Sequence, residues 1–268
     1  MELFSLYNKI AIVTGALGLL GKQHCSALAE AGAKIIVCDL NEEGCVKFAK
    51  SLPTDSLGIF LDVTEQESIR NVRDKILESY GHIDVLVNNA AINDMFENPA
   101  AALEQSKFEN YPLGLWQKSF DVNVTGVFLC SQAAIRRMMP RRAGRIVNIS
   151  SIAGVIVRTA QIGYCSAKAA VNHFSRCLAI EMAPYGITVN CLCPGMTWTE
   201  MLEKSAQARG FDLEAMVALI PAGHMASPQD HAHLVAYFAS EEAAHVTGQV
   251  VCVDGGQSQF LPLMATRI

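Results

Sequence analysis

The chain has 268 residues and a mass of 29.0 kDa, room for one large domain with a sizeable core. Hydrophobic residues make up 51% and charged residues 18%, which excludes intrinsic disorder. Lys and Arg number 21 against 26 Asp and Glu, a net charge of −5, so no positive field exists to hold nucleic acid or an anionic membrane, and neither partner is expected.

From the N-terminus, Met1 to Lys9 carries Glu2 and no long apolar run, so no secretory leader is expected. No uncharged apolar stretch reaches the ~18 residues of a membrane span. Short apolar runs then alternate with longer amphipathic stretches almost to the C-terminus. The runs predict strands over Ile10–Thr14, Lys34–Cys38, Leu57–Leu61, Ile83–Val87, Arg145–Ile149, Thr188–Leu192 and Gln249–Val253. This is the pattern of an α/β, doubly wound, seven-stranded parallel sheet with helices on both faces, a single domain over 1–268. Two segments break the rhythm: an insertion at about 92–112, and an excursion at about 195–227 rich in Met, Glu and Ala.

The first strand runs into Thr14-Gly15-Ala16-Leu17-Gly18-Leu19-Leu20-Gly21 and then a helix. Glycines there let the chain turn, let a pyrophosphate approach the backbone and let helix pack on strand. The free N–H groups of the helix start would face the phosphates. Gly15, Leu17, Gly18, Leu19 and Leu20 are therefore candidate cofactor contacts. Asp39, with Leu40 after it, stands close to where an acid holding the adenosine ribose hydroxyls belongs. A carboxylate there repels a 2′-phosphate, which favours NAD over NADP. Asp39 could instead cap the next helix, a position for which Asn41 competes. Asp62 and Val63 end the third strand, the Asp suited to the adenine amino group. Asn88, Asn89, Ala90 and Ala91 follow the fourth strand at the carboxyl edge, where small residues let backbone lie against a ribose. The asparagines serve equally as turn formers.

Asn123 lies in an apolar helix, where an amide must be bonded; it could hold a local break and a water. Tyr164 and Lys168 stand four apart on a predicted helix, hence on one face, and an ammonium that close would lower the tyrosine pKa from ~10. Ser151, thirteen residues before the tyrosine, can face the same crevice, with Ser150 the competing hydroxyl. Cys191 and Cys193 form C-x-C without a second cluster at zinc-like spacing, so no metal is expected. The nine cysteines read as reduced thiols of a cytoplasmic protein.

With these residues in order, the sequence resembles the short-chain dehydrogenase/reductase family from Lys9 to Gly256, where Val253-Asp254-Gly255-Gly256 closes the pattern. The resemblance implies a Rossmann fold. It implies that Tyr164 is the general acid/base, that Ser151 bonds the same substrate oxygen, and that Lys168 lowers the tyrosine pKa while gripping the nicotinamide ribose. Asn123 would keep a water in the proton path. Pro194, Gly195, Thr197 and Thr199 would hold the nicotinamide carboxamide. One departure stands out: compact members carry T-G-x-x-x-G-x-G, whereas here Leu19 replaces the middle glycine and Gly18 precedes it, the spacing of longer, sugar-nucleotide-modifying members. With few residues after Gly256, the compact architecture is expected.

The two irregular segments, with Trp198, Met201, Met216 and His224, should set specificity, and their mixed lining suggests a polyol, sugar or sugar acid. Arg158 either meets a carboxylate or phosphate on that alcohol/ketone substrate or is a solvated surface residue. Rival readings are a 3-oxoacyl or steroid carbonyl reductase and a non-catalytic NAD-binding regulator. The helices around Asp121–Met139 and Gly163–Met182 are apolar on more than one face, which, with the family resemblance, suggests a homotetramer or homodimer.

Overall fold

A computed structural model describes residues 3–93, 107–159, 161–198 and 212–260. Seven strands form one parallel sheet: β1 (Ile10–Thr14), β2 (Lys34–Asp39), β3 (Leu57–Phe60), β4 (Val85–Asn88), β5 (Gly144–Ile149), β6 (Ile187–Pro194) and β7 (Val250–Val253). Their spatial order is β3-β2-β1-β4-β5-β6-β7. The predicted strands are all present, with ends displaced by one or two residues. The longest extension is that of β6, which runs on to Pro194 and pairs it with Val253 of β7.

The strands form here because β-branched and apolar residues fill both of their faces. Ile10 and Ile12 belong to one buried cluster, with Ile36, Leu86, Ile146 and Val189. Ala11 and Val13 belong to the other, with Ile35, Val37, Val85 and Val147. Alternate residues of one strand thus enter opposite cores, as a sheet covered on both sides requires. Helices α1 (Leu19–Glu30), α2 (Glu42–Ala49), α3 (Gln66–Tyr80), α4 (Leu113–Phe120), α5 (Gly126–Met138), α6 (Ile162–Met182), α7 (Leu213–Val217) and α8 (Pro228–Ala239) supply the cover and the site.

Local chemistry sets several helix boundaries. Asn41 caps α2 through a bond from the Gly44 N–H at 3.0 Å, so the capping alternative for Asp39 is excluded. Ser227 and Asp230 form a capping box at the start of α8, with Pro228 in the first turn. Gly81 closes α3 in the left-handed conformation, φ +77°. Between α4 and α5 the chain makes a π-helical turn, Asp121–Thr125, centred on Asn123. This is the local break expected at that amide.

The sheet order reverses direction between β1 and β4, and there the two strand ends are held together. Thr14 Oγ1 accepts the backbone N–H groups of Asn89 and Ala90, each at 3.0 Å. The Asn89 side chain returns the contact, donating to the Thr14 and Gly15 carbonyls at 3.0 and 2.9 Å. Gly15 has φ +61°, and a Cβ on it would stand 2.7 Å from the Ala90 Cα. The approach therefore requires glycine twice over, by conformation and by space. A Cβ on Gly18 would meet only the Gly15 carbonyl oxygen, at 3.3 Å. We expect Gly15→Ala to lose about 2–4 kcal/mol of stability from backbone strain and overpacking, and Gly18→Ala about 1 kcal/mol or less, read by denaturant titration. Equal losses would contradict this account of the turn.

Candidate active site

The carboxyl edge of the sheet opens into a cleft of about 1290 Å³. Gly15, Leu17, Gly18, Leu19, Leu20, Asp39, Leu40, Asp62, Val63, Asn89, Ala90, Ala91 and Thr197 all line it. One floor is therefore built from the ends of β1 to β4, the position at which α/β sheets hold dinucleotides. Gly18 precedes α1 without any side-chain cap, so the first N–H groups of that helix are free for an anion. Leu19, at the place of the missing glycine, lies in the first turn and is 44% exposed, so it extends the lining without blocking the turn.

Asp39 is held rather than mobile. One carboxylate oxygen accepts the Leu17 N–H at 2.9 Å, and the other accepts the Leu40 N–H at 2.8 Å. The glycine turn and the β2 carboxylate are thereby tied into one rigid unit, and each oxygen keeps a lone pair toward the cleft for a hydroxyl donor. Asp62 closes its own turn, accepting the Thr64 N–H at 2.9 Å and the Thr64 hydroxyl at 2.7 Å. A Cβ on Gly126 would touch Val63 Cγ2 at 2.8 Å, so α5 starts hard against that wall.

The side chains expected to carry the chemistry lie beyond this floor, where β5 passes into α6. Ser150 donates to the Lys168 carbonyl at 2.9 Å and is 3% exposed, which removes it as the competing hydroxyl. Ser151 caps the short turn Ile152–Gly154, its oxygen accepting the Ala153 N–H at 3.1 Å, and it faces the Tyr164 hydroxyl. Lys168 is 2% exposed; its Nζ donates to the Ile149 carbonyl at 2.9 Å and stands 5.6 Å from the centre of the Tyr164 ring. Burial lowers its pKa to about 8, the cost of an ammonium with little water around it.

The expected depression of the Tyr164 pKa is not found. Burial dominates and pushes it up to about 12, while Ser151 and Arg158 pull it down. Lys168, whose ammonium bonds the Ile149 carbonyl, is not among the groups that shift it. Asn123 also differs from expectation in its partners. Its oxygen accepts the Ile92 N–H and its nitrogen donates to the Ile92 carbonyl, both at 3.0 Å, with a further bond to Ser119 Oγ at 3.2 Å. A buried amide must satisfy its groups, and the backbone leaving β4 has no strand beside it there.

Pro194 and Gly195 are placed by β6–β7 pairing, and a Cβ on Gly195 would clash with Asp254 Cα at 2.5 Å. Thr197 Oγ1 bonds the Gly195 carbonyl at 3.2 Å and the His231 ring nitrogen at 2.8 Å. Thr199 and Met201 lie outside the described residues, as do 94–106 of the insertion. Its end does reach the site: Tyr111 places its hydroxyl over Gly163, beside Tyr164.

Sequence reading missed one wall of the cleft. Gly114, Gln117, Lys118, Asp121, Val122 and Thr125 line it, recurring every three or four residues along α4 and the π turn. That helical spacing of small and polar residues was the available signal. Among the described residues no group of three or more His, Cys, Asp or Glu side chains is placed to hold a metal.

The model of the family described as enoyl-(acyl carrier protein) reductase matches residues 15–258. The 3-oxoacyl-[acyl-carrier-protein] reductase FabG of Vibrio cholerae is 36% identical over 94% of this chain and 98% of its own length. The NAD-dependent glycerol dehydrogenase of Listeria innocua is also 36% identical, over 94% of this chain and 95% of its own. A short-chain type dehydrogenase/reductase of Mycobacterium marinum superposes with TM-score 0.85 and 33% identity, covering 95% of this chain and 97% of its own. A gluconate 5-dehydrogenase of Burkholderia cenocepacia, in complex with NADP and tartrate, gives TM-score 0.84 and 29% identity over 96% and 98%.

Next to Thr197, His231 and His24 are buried between α1 and α8, and burial lowers their pKa values to about 4 and about 3. Their folded values lie below the unfolded 6.5, so between these limits the unfolded chain binds more protons. Stability is then complete above pH 6.5 and falls as pH drops toward 4. Relative to the parent, His24→Leu should gain about 1.4 kcal/mol per pH unit on descending through that window, whatever its constant offset, measured by urea titration. A pH-independent difference would refute the neutral-histidine assignment.

Proposed function

Because the chain belongs to the short-chain dehydrogenase/reductase family and is therefore an NAD(P)-dependent oxidoreductase, we propose that it is an NAD-dependent alcohol dehydrogenase and ketone reductase. Its substrate is a secondary alcohol of a polyol, sugar or sugar acid. The observation that carries this reading is the meeting of Ser151 and Tyr164 at the carboxyl edge, with Lys168 buried one helical turn away.

The residues present fit a dinucleotide. The uncapped start of α1 suits the pyrophosphate, the fixed carboxylate of Asp39 suits the ribose hydroxyls, and Ala90 and Ala91 leave room along the floor. When bound, the nicotinamide would supply the acceptor for hydride from the carbinol carbon in oxidation and the hydride donor in reduction. The protein handles the proton. Tyr164 Oη takes it from the substrate hydroxyl in oxidation and returns it in reduction, and Ser151 Oγ bonds the same oxygen as its charge changes. Burial keeps the phenol protonated in the unliganded protein, and a positive charge brought beside it by a bound dinucleotide would lower its pKa for oxidation. Lys168 would hold the ribose hydroxyls, and Asn123 fixes the backbone at Ile92, which also lines the cleft. Thr199 is proposed to join Thr197 and the Pro194-Gly195 backbone at the carboxamide.

The glycerol dehydrogenase relative supports both NAD and a polyol. The structure with NADP and tartrate supports a hydroxy acid and, for its own chain, the other nucleotide. A second reading, reduction of 3-oxoacyl thioesters, is favoured by the family model and the FabG relatives. Gln117, Lys118 and Asp121 on the α4 side of the cleft favour the polar alcohol. All nine cysteines are free, consistent with a reducing cytoplasm, and no described helix is long and apolar enough to cross a membrane. Exposed Phe128 on α5, packed edge-on with Phe174 of α6, and exposed Ile180 support pairing with further copies as a homodimer or homotetramer.

Two measurements test these assignments. Tyr164→Phe should lower kcat at least 100-fold while NADH binding, followed by fluorescence, stays within twofold; retained turnover would remove the tyrosine from the chemistry. NADH should bind at least tenfold more tightly than NADPH, and Asp39→Ser should erase most of that ratio. Tighter NADPH binding by the parent would overturn the role of Asp39.

A further inference from the structure

The segment from Ser151 to Arg158 is fastened to α6 along its length. Gly154 lies so close to α6 that a Cβ would stand 2.7 Å from the Lys168 carbonyl carbon, and its carbonyl accepts from Asn172 Nδ2 at 3.0 Å. At the far end, Cys165 Sγ lies 3.9 Å from the Arg158 carbonyl it donates to. Cys165 is the residue after Tyr164. Arg158 is therefore anchored over the same turn of helix that presents the tyrosine, while its neighbour Val157 is 94% exposed.

Arg158 is half-buried, and it makes no ion pair among the described residues. The groups that act on its charge are Tyr164 and Cys165, and neither is a carboxylate. The other described arginines that are buried or half-buried each meet an acid: Arg145 bonds Glu241 at 2.8 Å, and Arg73 bonds Asp74 at 2.7 Å. A partly desolvated guanidinium with no counter-ion among the described residues is costly in the free protein, and a ligand anion removes that cost on binding.

We infer that Arg158 is the counter-ion for a carboxylate carried by the substrate, so that the natural substrate is a hydroxy acid or its keto acid and not a neutral alcohol. The inference rests on the reading of Tyr164 given above and narrows its substrate class. The planar guanidinium matches a carboxylate with two parallel hydrogen bonds. One such group balances a single negative charge, which favours a carboxylate over a phosphate dianion. Held beside Tyr164, the pair would set the distance between the acid group and the hydroxyl that is oxidised.

The test compares acids with neutral alcohols of equal carbon number: gluconate with sorbitol, galactonate with galactitol, 3-hydroxybutyrate with 2-butanol, and glucose 6-phosphate as the phosphate arm. The parent enzyme should prefer the acid of a pair by at least tenfold in kcat/KM. Arg158→Gln should lose at least 30-fold on the acid, mainly through KM, and less than threefold on the neutral partner, with Arg158→Lys recovering part of the loss. Equal losses on both members would place Arg158 in service of Tyr164 and overturn the inference, as would a parent enzyme that prefers the neutral alcohol or the phosphate. Oxidation of neutral alcohols alone leaves the dehydrogenase reading standing and sinks only the carboxylate. Turnover of neither class sinks both.

Discussion

The stitch between the ends of β1 and β4 is the constraint on which the site depends. Parallel neighbours whose connections leave to opposite sides open a gap at the carboxyl edge, and the exposed backbone there must find partners. Thr14 and Asn89 supply them with short side chains that bond both strand ends at once. Gly15 can then lie against Ala90 with nothing between them. The remaining parts of the cofactor floor follow: Asp39 is positioned by the backbone of the same turn, and the start of α1 is aimed by it.

A second polar system runs beneath the chemistry. Asn88 donates to Ser131 at 3.0 Å and to Asn148 at 2.8 Å, and Asn148 donates to Ser175 at 2.9 Å. All four are buried. This chain crosses β4 and β5 and joins α5 to α6, so the helix carrying Tyr164 and Lys168 is keyed in register to the sheet. Apolar packing alone tolerates sliding; a satisfied row of amides and hydroxyls does not. Ser150, bonding the Lys168 carbonyl, adds a key of the same kind.

Much of this was legible in the residues themselves. The seven apolar runs gave the sheet because β-branched residues buried on both faces leave a continuous signal, and the glycine turn and Asp39 pointed to residues that line one cleft at its carboxyl edge. What escaped has physical reasons. The cleft wall from α4 uses side chains whose helical spacing is ordinary for any surface helix, and only the fold turns that face inward. The direction of the Tyr164 shift escaped because four-residue spacing reports which side chains share a face, whereas burial and the carbonyl that captures Lys168 are tertiary facts. Asn123 was recognised as an amide needing partners, but that its partner is the backbone of Ile92 depends on where the chain leaves β4.

The neck of the late excursion has a wider meaning. Thr197 pairs with Ala226, the Trp198 N–H reaches the Ala226 carbonyl at 3.0 Å, and the Ala226 N–H reaches the Met196 carbonyl at 2.9 Å. Both ends of the segment are thus fixed by its own base and by His231, independently of what lies between them. Closing a loop whose ends are already together costs little more when it grows, about 0.6 kcal/mol for each doubling of length. The chain between Trp198 and Ala226 can therefore change length at small cost to the sheet beneath it, because the base and not the span it closes holds this part of the molecule in place.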